Sequence, residues 1–331
     1  MAISPELMET LLKLEAIFMP HSTARRNVLY ENRTKDYARF VHYTSADAAL
    51  KIIKSKRVWM RNTTCMSDYR EVQHGYDVLT KVFATNGNFG RFQSALDAFV
   101  PGAATEAINL FDGWWRDIRF STYITSISEH DDTEDTHGRL SMWRGFGGGN
   151  VARVALVLKL PITAVGATEE LKIMVSPVAY LQENDVQNEL NAVIKNIENS
   201  AGFIQSVDRQ LVVNCVYVML MAGVVCMKHV GFLEEREWRI VYGPKRMPSP
   251  LMESSTETIG GVPQVIHKIP LDVRVSPNLA DIDLARLFDR LIIGPSPYPW
   301  AMYEAFVGAL VESGVPDAAN RVFTSGIPIR S

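Results

Sequence analysis

Residues 151–160, VARVALVLKL, form a nearly continuous run of apolar and β-branched side chains. Such a run is typical of a strand that is covered on both faces, and it predicts a central strand of the fold. Other apolar or alternating segments predict further strands at 37–44, 58–60, 120–128, 173–181, 236–242, 267–272 and 290–295. Between them, residues 72–118 and 183–227 have helical spacing and predict two helical insertions. This mixture predicts one α+β domain over residues 37–331.

The N-terminal residues 1–36 are expected to precede this domain as a helix and a surface segment. Residues 4–19 have the apolar spacing of an amphipathic helix, with Ser4 as its N-cap and Pro20 at its end. Residues 21–36 are polar and basic, which predicts a surface segment that leads into the fold.

Composition and charge exclude several classes of protein. The 331 residues are 47% hydrophobic and 21% charged, so the chain can bury a large core and extensive disorder is excluded. The net charge of −3 leaves no global basic field to drive non-specific binding to nucleic acids. The three cysteines, Cys65, Cys215 and Cys226, are widely spaced, which argues against a disulfide framework and favours a reducing compartment.

Residues 211–227 are the most apolar stretch of the chain. They contain Asn214 and fall short of the roughly 20 residues that a membrane span needs, so they predict a buried core helix. Residues 1–20 lack the basic and apolar regions of a signal peptide. We therefore expect a cytoplasmic protein that does not bind a membrane.

Three polar clusters interrupt strands that are otherwise apolar. In the first, FVHYTS, the side chains of His42 and Thr44 share one face of the predicted strand and Tyr43 lies on the other. His42 is either a core histidine with satisfied hydrogen bonds or a ligand-binding residue. In the second, STYITSISE, Ser126 and Ser128 share a face, where their hydroxyls either bind a polar ligand or point to solvent.

The third cluster lies in LEEREWRIVY. Glu235, Glu237 and Arg239 are spaced at i, i+2 and i+4, so an extended backbone would place all three on one face. Two neighbouring carboxylates repel each other unless a nearby arginine compensates their charge. The cluster is therefore either a functional site or a ladder of charges on a solvated edge strand.

The segment SMWRGFGGGN carries Trp143 and Phe146, which either pack in the core or offer a flat surface to a ring. Its glycines precede a strand instead of joining a strand to a helix, so they do not match the dinucleotide-binding fingerprint.

The loop before this segment is acidic and contains Asp131, Asp132, Glu134, Asp135 and His137. We expect a solvated acidic loop there, with loose cation binding as the alternative and no metal site. Residues 246–263, rich in Pro, Ser, Thr and Gly, predict another loop.

The clusters occur in an order that resembles a bacterial family catalogued as domain of unknown function 2971. The similar segments are FVHYTSADAALKIIKSKRVWMRNTTCMSDYREVQHG (40–75), TSISEHDDTEDTHGRLSMWRGFGGGNVARVALVL (125–158) and CMKHVGFLEEREWRIVY (226–242). They correspond to the family's His-Tyr-Thr strand, its serine strand with the Trp helix, and its Glu-x-Glu-x-Arg signature. Ser67 stands where the family usually has Asn, and Ile127 where it usually has Phe. The resemblance spans residues 38–243.

This resemblance implies an ADP-ribosyltransferase-like fold, with a mixed or antiparallel β core and helical insertions, and NAD as substrate. It also implies that His42 holds a ribose hydroxyl of NAD and that Ser126 or Ser128 supports the nicotinamide half. Glu237 would be the catalytic glutamate, and Glu235 the first glutamate of the Glu-x-Glu pair. The remaining candidates for the NAD site are Thr44 and Arg239, with Tyr43, Tyr123 and Trp143 as alternative stacking partners of the nicotinamide.

The chemistry of these residue types fits the resemblance. Cleavage of the N-glycosidic bond of NAD passes through an oxocarbenium-like state that a carboxylate near the ribose stabilises, and a second glutamate can deprotonate the acceptor. With the resemblance, this chemistry implies an enzyme that transfers ADP-ribose to a nucleic acid or a protein, as a toxin or a phage-defence effector. Whether an inhibitory partner protein controls it stays open at this point. Residues 62–75 and 129–150 are the loops expected to select the acceptor. Two alternatives stay open: a catalytically inactive module that binds a nucleotide or a nucleic acid, and an NAD glycohydrolase.

Overall fold

The structure, a computed structural model, describes residues 4–31, 37–66, 71–145, 151–161 and 165–328. The helices are α1 (Pro5–Phe18), α2 (Pro20–Glu31), α3 (Ala46–Ser55), α4 (Glu71–Ala84), α5 (Asn88–Asp97), α6 (Ala103–Phe120), α7 (Leu140–Gly145), α8 (Val165–Leu171), α9 (Glu183–Asn199), α10 (Ala201–Ser206), α11 (Arg209–Val225), α12 (Leu284–Leu287) and α13 (Pro299–Glu312). The strands are β1 (Tyr37–Ser45), β2 (Arg57–Asn62), β3 (Tyr123–Glu129), β4 (Arg153–Pro161), β5 (Ile173–Pro177), β6 (Glu237–Tyr242), β7 (Glu253–Ile259), β8 (Val262–Pro270), β9 (Phe288–Ile293) and β10 (Val322–Thr324).

The strands form a mixed sheet in which β4 lies in the interior, as its sequence predicted. The strand order is β10-β9-β4-β1-β3-β2-β8-β7, and β6 pairs with both β3 and β5. β9 and β10 pair in parallel, whereas β1 pairs antiparallel with β3 and β4. Val154, Ala155 and Val157 of β4 are fully buried, which explains the unbroken apolar sequence of this strand. The prediction of a fold that mixes helices with a sheet is confirmed at this coarse level.

The contacts divide the chain into two compact units. Unit 1 comprises Met1–Glu31, Asn62–Thr122 and Ser176–Leu233, and unit 2 comprises Asn32–Arg61, Tyr123–Val175 and Glu234–Ser331. This division differs from the expected N-terminal segment (1–36) followed by a single domain (37–331). The reason is that the two helical insertions pack on each other and on the N-terminal helix, since α11 contacts α4, α6 and α1. The insertions therefore build a helical core of their own in unit 1.

The N-terminal helix α1 follows the predicted cap, whereas α2 was not predicted. The hydroxyl of Ser4 accepts a hydrogen bond from the backbone N–H of Leu7 at 3.2 Å, and Pro5 opens the helix. The next segment was predicted to be a surface segment, but residues 20–31 form a helix. An N–H group in the first turn of a helix has no partner within the helix. Pro20 can therefore begin α2 without the loss of a hydrogen bond, although proline has no N–H.

The apolar stretch 211–227 falls mostly in α11 and belongs to the core of unit 1, as predicted. Val212, Val213 and Val216 are fully buried there. The side chain of Asp208 caps the helix by accepting a hydrogen bond from the N–H of Leu211 at 3.0 Å. Among the described residues, no helix is both long enough and apolar enough to cross a membrane.

The loop predicted at 246–263 is largely wrong, because β7 and β8 form an antiparallel hairpin there. Gly260 and Gly261 connect the two strands with φ values of 58° and 81°. Two consecutive residues with positive φ are what a tight two-residue hairpin turn requires, and glycine adopts them without steric cost. The Ser, Thr and Gly content that suggested a loop therefore belongs to a solvent-exposed hairpin.

Two apolar clusters cover the two faces of β1 and β4 in unit 2. On one face, Leu156 and Leu158 pack with Ile52 and Ile53 of α3, and we call it the α3 face. The opposite face is covered by α7 and is called the α7 face. Its cluster consists of Val41, Tyr43, Met142, Trp143, Ala155, Val157 and Ile292. Because side chains alternate along a strand, each residue of β1 belongs to one face or the other.

Candidate functional site

Three adjacent strands bring the polar clusters of the sequence together. β3, which carries the serines, lies between β1 and β6. Across β3 and β6, Ser126 is the partner of Arg239 and Ser128 is the partner of Glu237. His42 lies 84 positions before Ser126 in the sequence, and Glu237 lies 111 positions after it, yet both form hydrogen bonds with Ser126. The sheet therefore assembles the three clusters around the middle of β3.

Ser126, Glu237 and Arg239 form one hydrogen-bonded group, which we call the Glu237 cluster. The hydroxyl of Ser126 donates to Oε1 of Glu237 at 2.5 Å. Nε of Arg239 lies 3.0 Å from the same oxygen, and Nη2 of Arg239 lies 3.4 Å from Oε2. Glu237 is 6% exposed and Arg239 is 2% exposed. The carboxylate is thus a buried group whose charge is compensated by a buried guanidinium.

The Glu237 cluster and His42 lie on opposite faces of the sheet. Ser128 faces Glu237 in one ladder and Val41 in the other, and Val41 belongs to the α7 face. Directly opposed residues of a ladder point to the same side, so the Glu237 cluster is on the α7 face. His42 follows Val41 in β1 and therefore points to the α3 face, as does Thr44. The resemblance implies that His42 and Glu237 share one NAD site, but their side chains lie on opposite faces of the sheet, so one cleft does not hold both.

His42 is held by the main chain of β3. Its Nδ1 lies 2.8 Å from the carbonyl oxygen of Ser126. A carbonyl can only accept, so Nδ1 carries the proton and donates it. Burial lowers the pKa of His42 below its usual range, although the bond to the carbonyl opposes this shift. Its ring lines an apolar cavity of about 90 Å³ together with Thr125 and Ile127, whereas pockets for drug-sized ligands hold about 300–1,000 Å³.

These contacts match the core-histidine interpretation of His42, and they give an expected result. Replacing His42 by alanine leaves the Ser126 carbonyl without its donor and enlarges the cavity, so we expect the free energy of unfolding to fall by about 1–3 kcal/mol. His42→Asn, which keeps an N–H near the position of Nδ1, should lose less. Thermal melts and urea denaturation of wild type and the two variants measure these losses. An alanine variant as stable as wild type would contradict the expectation.

The aromatic candidates for stacking on nicotinamide are packed inside the fold. Tyr43 and Trp143 make an edge-to-face contact with ring centroids 4.8 Å apart, and they are 7% and 6% exposed. The indole N–H of Trp143 donates to the carbonyl of His137 at 2.8 Å. A Cβ atom at Gly294 would lie 2.9 Å from the Trp143 ring, which shows how closely the ring is packed.

The third aromatic candidate, Tyr123, contacts His267 edge-on, with ring centroids 4.4 Å apart. Phe146 and the glycines after it lie outside the described residues.

Glu235 does not share a strand with Glu237. Residues Val230–Glu235 form a 3-10 helix, and β6 begins only at Glu237. Arg236 between them has a φ of 45°, in the left-handed region, which breaks the alternation on which the expected i, i+2, i+4 face depends. The expectation of three residues on one face is therefore correct for Glu237 and Arg239 and wrong for Glu235. Glu235 sits half-buried on the turn that leads into the strand.

The acidic loop after β3 is fixed to the sheet instead of being fully solvated. Arg39 of β1 is 5% exposed. Its guanidinium lies 2.5 Å from Asp132, 2.5 Å from Asp135 and 2.6 Å from Asp289 of β9. Burial alone would lower the pKa of Arg39, but the hydrogen bonds and charges of these carboxylates raise it. In the part of the chain that the structure describes, no group of three or more His, Cys, Asp or Glu residues could hold a metal ion.

His130 gives this loop an expected pH dependence. It is 2% exposed, and its Nε2 donates to Asp135 at 2.9 Å. Its Nδ1 is buried without a hydrogen-bond partner among the described residues. Burial lowers the pKa of His130, and the bond to Asp135 opposes this only in part. Because the unfolded chain then binds the proton more tightly than the folded protein does, His130 destabilises the fold as the pH falls below about 6.5.

We therefore expect His130→Asn to flatten the pH dependence of the free energy of unfolding between about pH 6.5 and 5, by up to about 1.4 kcal/mol per pH unit. Denaturant titrations at a series of pH values measure the slope. His74→Asn, at an exposed histidine of α4, serves as the matched control and should leave the slope unchanged. Equal slopes for wild type and His130→Asn would contradict the assignment.

Two arginines that position this region were missed by the sequence analysis. Arg39 interrupts the apolar strand YARFVHYT, and a charged residue inside a buried strand is the signal that could have indicated its acidic partners. Arg139 bridges the acidic loop and the turn before β6, through hydrogen bonds described below, and nothing in its sequence context distinguishes it from a surface arginine. Residues 67–70, which include Ser67 at the position where the similar family usually has Asn, lie outside the described residues. Glu71, which follows them, forms an ion pair with Lys228 at 3.2 Å.

Comparisons of the chain with models of protein families, with curated proteins and with solved structures found no match. The resemblance to domain of unknown function 2971 therefore stays a prediction that rests on the motifs and their order.

Proposed function

We propose that the protein is an ADP-ribosyltransferase-like enzyme that cleaves NAD and transfers ADP-ribose to a nucleic acid or a protein. The observation that carries this proposal is the adjacency of β1, β3 and β6, which joins the histidine, serine and glutamate clusters into one hydrogen-bonded group. The polar groups of the Glu237 cluster suit a ribose, because a hydroxyl and a guanidinium, both hydrogen-bond donors, lie within hydrogen-bond distance of one carboxylate.

The roles of the residues in this proposal follow from where they lie. Glu237 orients a ribose hydroxyl and stabilises the positive charge that develops when the bond to nicotinamide breaks. Ser126 and Arg239 fix its carboxylate, and Ser128 beside it supports the nicotinamide half. Glu235, on the turn and less buried than Glu237, accepts the proton of the incoming acceptor. A turn suits this task because the acceptor is large and must approach from outside.

In this proposal His42 is a positioning residue. Its bond to the Ser126 carbonyl fixes the stretch of β3 from which the Ser126 hydroxyl reaches Glu237. This role departs from the ribose contact that the family resemblance implies, because the His42 ring lies on the α3 face in an apolar cavity.

A second candidate is a catalytically inactive module of the same fold that binds a nucleotide or a nucleic acid. The low exposure of Glu237, 6%, and the compensation of its charge by Arg239 favour this candidate. The two candidates make opposite predictions about NAD, because an inactive module does not consume it.

The test is mass spectrometry of a bacterial cell extract after incubation with the purified protein and NAD. ADP-ribose attached to a protein or a nucleic acid supports the proposal and identifies the acceptor. Consumption of NAD without any adduct would mean that the protein is an NAD glycohydrolase and not a transferase. Unchanged NAD together with binding of NAD in calorimetry supports the inactive module and overturns the proposal. The Glu237→Gln variant, incubated in parallel, controls for enzymes of the extract.

A further inference from the structure

Arg139 joins the turn that carries Glu235 to three other parts of unit 2. Its Nη1 donates to the carbonyls of Glu234 and Glu235 at 2.8 and 3.1 Å. Its Nη2 donates to the carbonyl of Glu129, at the end of β3, at 2.9 Å. The side chain is 12% exposed, so these bonds form largely away from solvent. One guanidinium thus connects the last residue of β3 to the turn before β6.

The other side of the same guanidinium is held by the acidic loop. Nε and Nη2 of Arg139 bond to the two carboxylate oxygens of Glu134 at 3.0 and 3.2 Å. Glu134 also pairs with Arg236 of the turn and accepts a hydrogen bond from the N–H of Asp131. Burial alone would raise the pKa of Glu134, but the hydrogen bonds and charge of Arg139 lower it. The carboxylate is therefore ionised at neutral pH and holds both arginines.

The backbone of Arg139 is fixed as well. Its N–H donates to the hydroxyl of Tyr43, on β1, at 2.8 Å. Tyr43 is itself packed against Trp143 on the α7 face. Arg139 therefore has little freedom to move, and the turn bound to its side chain is held at a fixed position relative to β1 and β3.

We infer that Arg139 is a positioning residue of the reaction, which sets the location of Glu235 relative to Glu237; this inference rests on the proposed function. Only a planar guanidinium with several N–H groups can bond to three carbonyls and a carboxylate at once. A lysine at this position keeps the charge near Glu134 but releases the carbonyls of the turn. Because Glu235 acts on the acceptor, its displacement impairs transfer more than it impairs cleavage of NAD.

The test compares wild type, Arg139→Lys and Arg286→Lys, the last at an exposed arginine of α12. Each protein is incubated with NAD and a bacterial cell extract, and two rates are measured. They are the attachment of ADP-ribose to macromolecules of the extract and the release of nicotinamide. For Arg139→Lys we expect transfer to fall at least about tenfold more than nicotinamide release, with the KM for NAD little changed. For Arg286→Lys we expect both rates to stay at the wild-type level. Equal losses of both rates in Arg139→Lys indicate a merely structural role and overturn the inference.

Hydrogen exchange measured by mass spectrometry separates this inference from the proposed function. The N–H of Glu129 donates to the carbonyl of Arg236 at 3.0 Å, so release of the turn should accelerate exchange at Glu129 in Arg139→Lys but not in Arg286→Lys. If wild type does not consume NAD and exchange still accelerates, the anchoring of the turn stands and the proposed function falls. Unchanged exchange in Arg139→Lys overturns the inference whatever the activity.

Discussion

Replacement of Glu237 by glutamine is expected to lower the turnover of NAD by about 100-fold or more while leaving NAD binding nearly intact. Glutamine keeps the shape of the side chain and can still accept from the Ser126 hydroxyl, but it carries no negative charge. If the carboxylate stabilises the cationic transition state more than it stabilises bound NAD, the substitution lowers kcat and leaves the dissociation constant of NAD nearly unchanged. Steady-state kinetics and calorimetric titration with NAD measure the two quantities separately.

Two controls distinguish a loss of catalysis from a loss of folding. Thermal melts show whether Glu237→Gln is folded at the assay temperature, because the substitution also removes half of a buried ion pair. Glu235→Gln should lower nicotinamide release less than Glu237→Gln does, and it should lower transfer comparably, since its proposed role concerns the acceptor. A folded Glu237→Gln protein with wild-type turnover would remove Glu237 from the catalytic role.

Replacement of Arg239 by glutamine is expected to destabilise the fold by about 3–5 kcal/mol. The substitution leaves the Glu237 carboxylate buried, 6% exposed, without its compensating charge. Removal of both charges in Glu237→Gln/Arg239→Gln should be less costly than the sum of the single changes, because the double variant buries no unpaired charge. Urea denaturation of the four proteins completes this double-mutant cycle.

The outcome of the cycle distinguishes a paired cluster from two independent residues. A coupling free energy of about 1 kcal/mol or more between the two positions agrees with the contact of 3.0 Å between Nε of Arg239 and Oε1 of Glu237. Additive single effects would contradict the pairing. In that case Arg239 would not compensate the charge of Glu237, and each residue would be stabilised by other contacts.

The fold could be predicted from the sequence where a segment carries its own pattern. The apolar run of β4, the amphipathic spacing of α1 and the helical insertions are local signals, and the structure places helices and strands there. Strand β7 and the first part of β8 escaped prediction because the Ser, Thr and Glu side chains of β7 are residue types that also fill loops, whereas the end of β8 lies in the strand predicted at 267–272. The division into two units escaped it because the insertions pack on each other across long stretches of the chain.

The candidate site could be predicted only in part. The residue types and their strands are correct for Ser126, Glu237 and Arg239, because alternation within a strand is a local rule. The face of His42 relative to Glu237 depends on the register between β1 and β3, which no local pattern specifies. The bonds of Arg139 to main-chain carbonyls leave no trace in sequence, since any residue supplies a carbonyl.

The central claim is that this chain breaks the bond between nicotinamide and ribose at Glu237. Release of nicotinamide from NAD by the purified protein, measured by chromatography with and without added cell extract, tests it most directly. The claim predicts release that depends on the protein, increases when the extract supplies an acceptor, and falls by about 100-fold or more in Glu237→Gln. Release at the uncatalysed rate under both conditions, from a protein shown to be folded and to bind NAD, would contradict it.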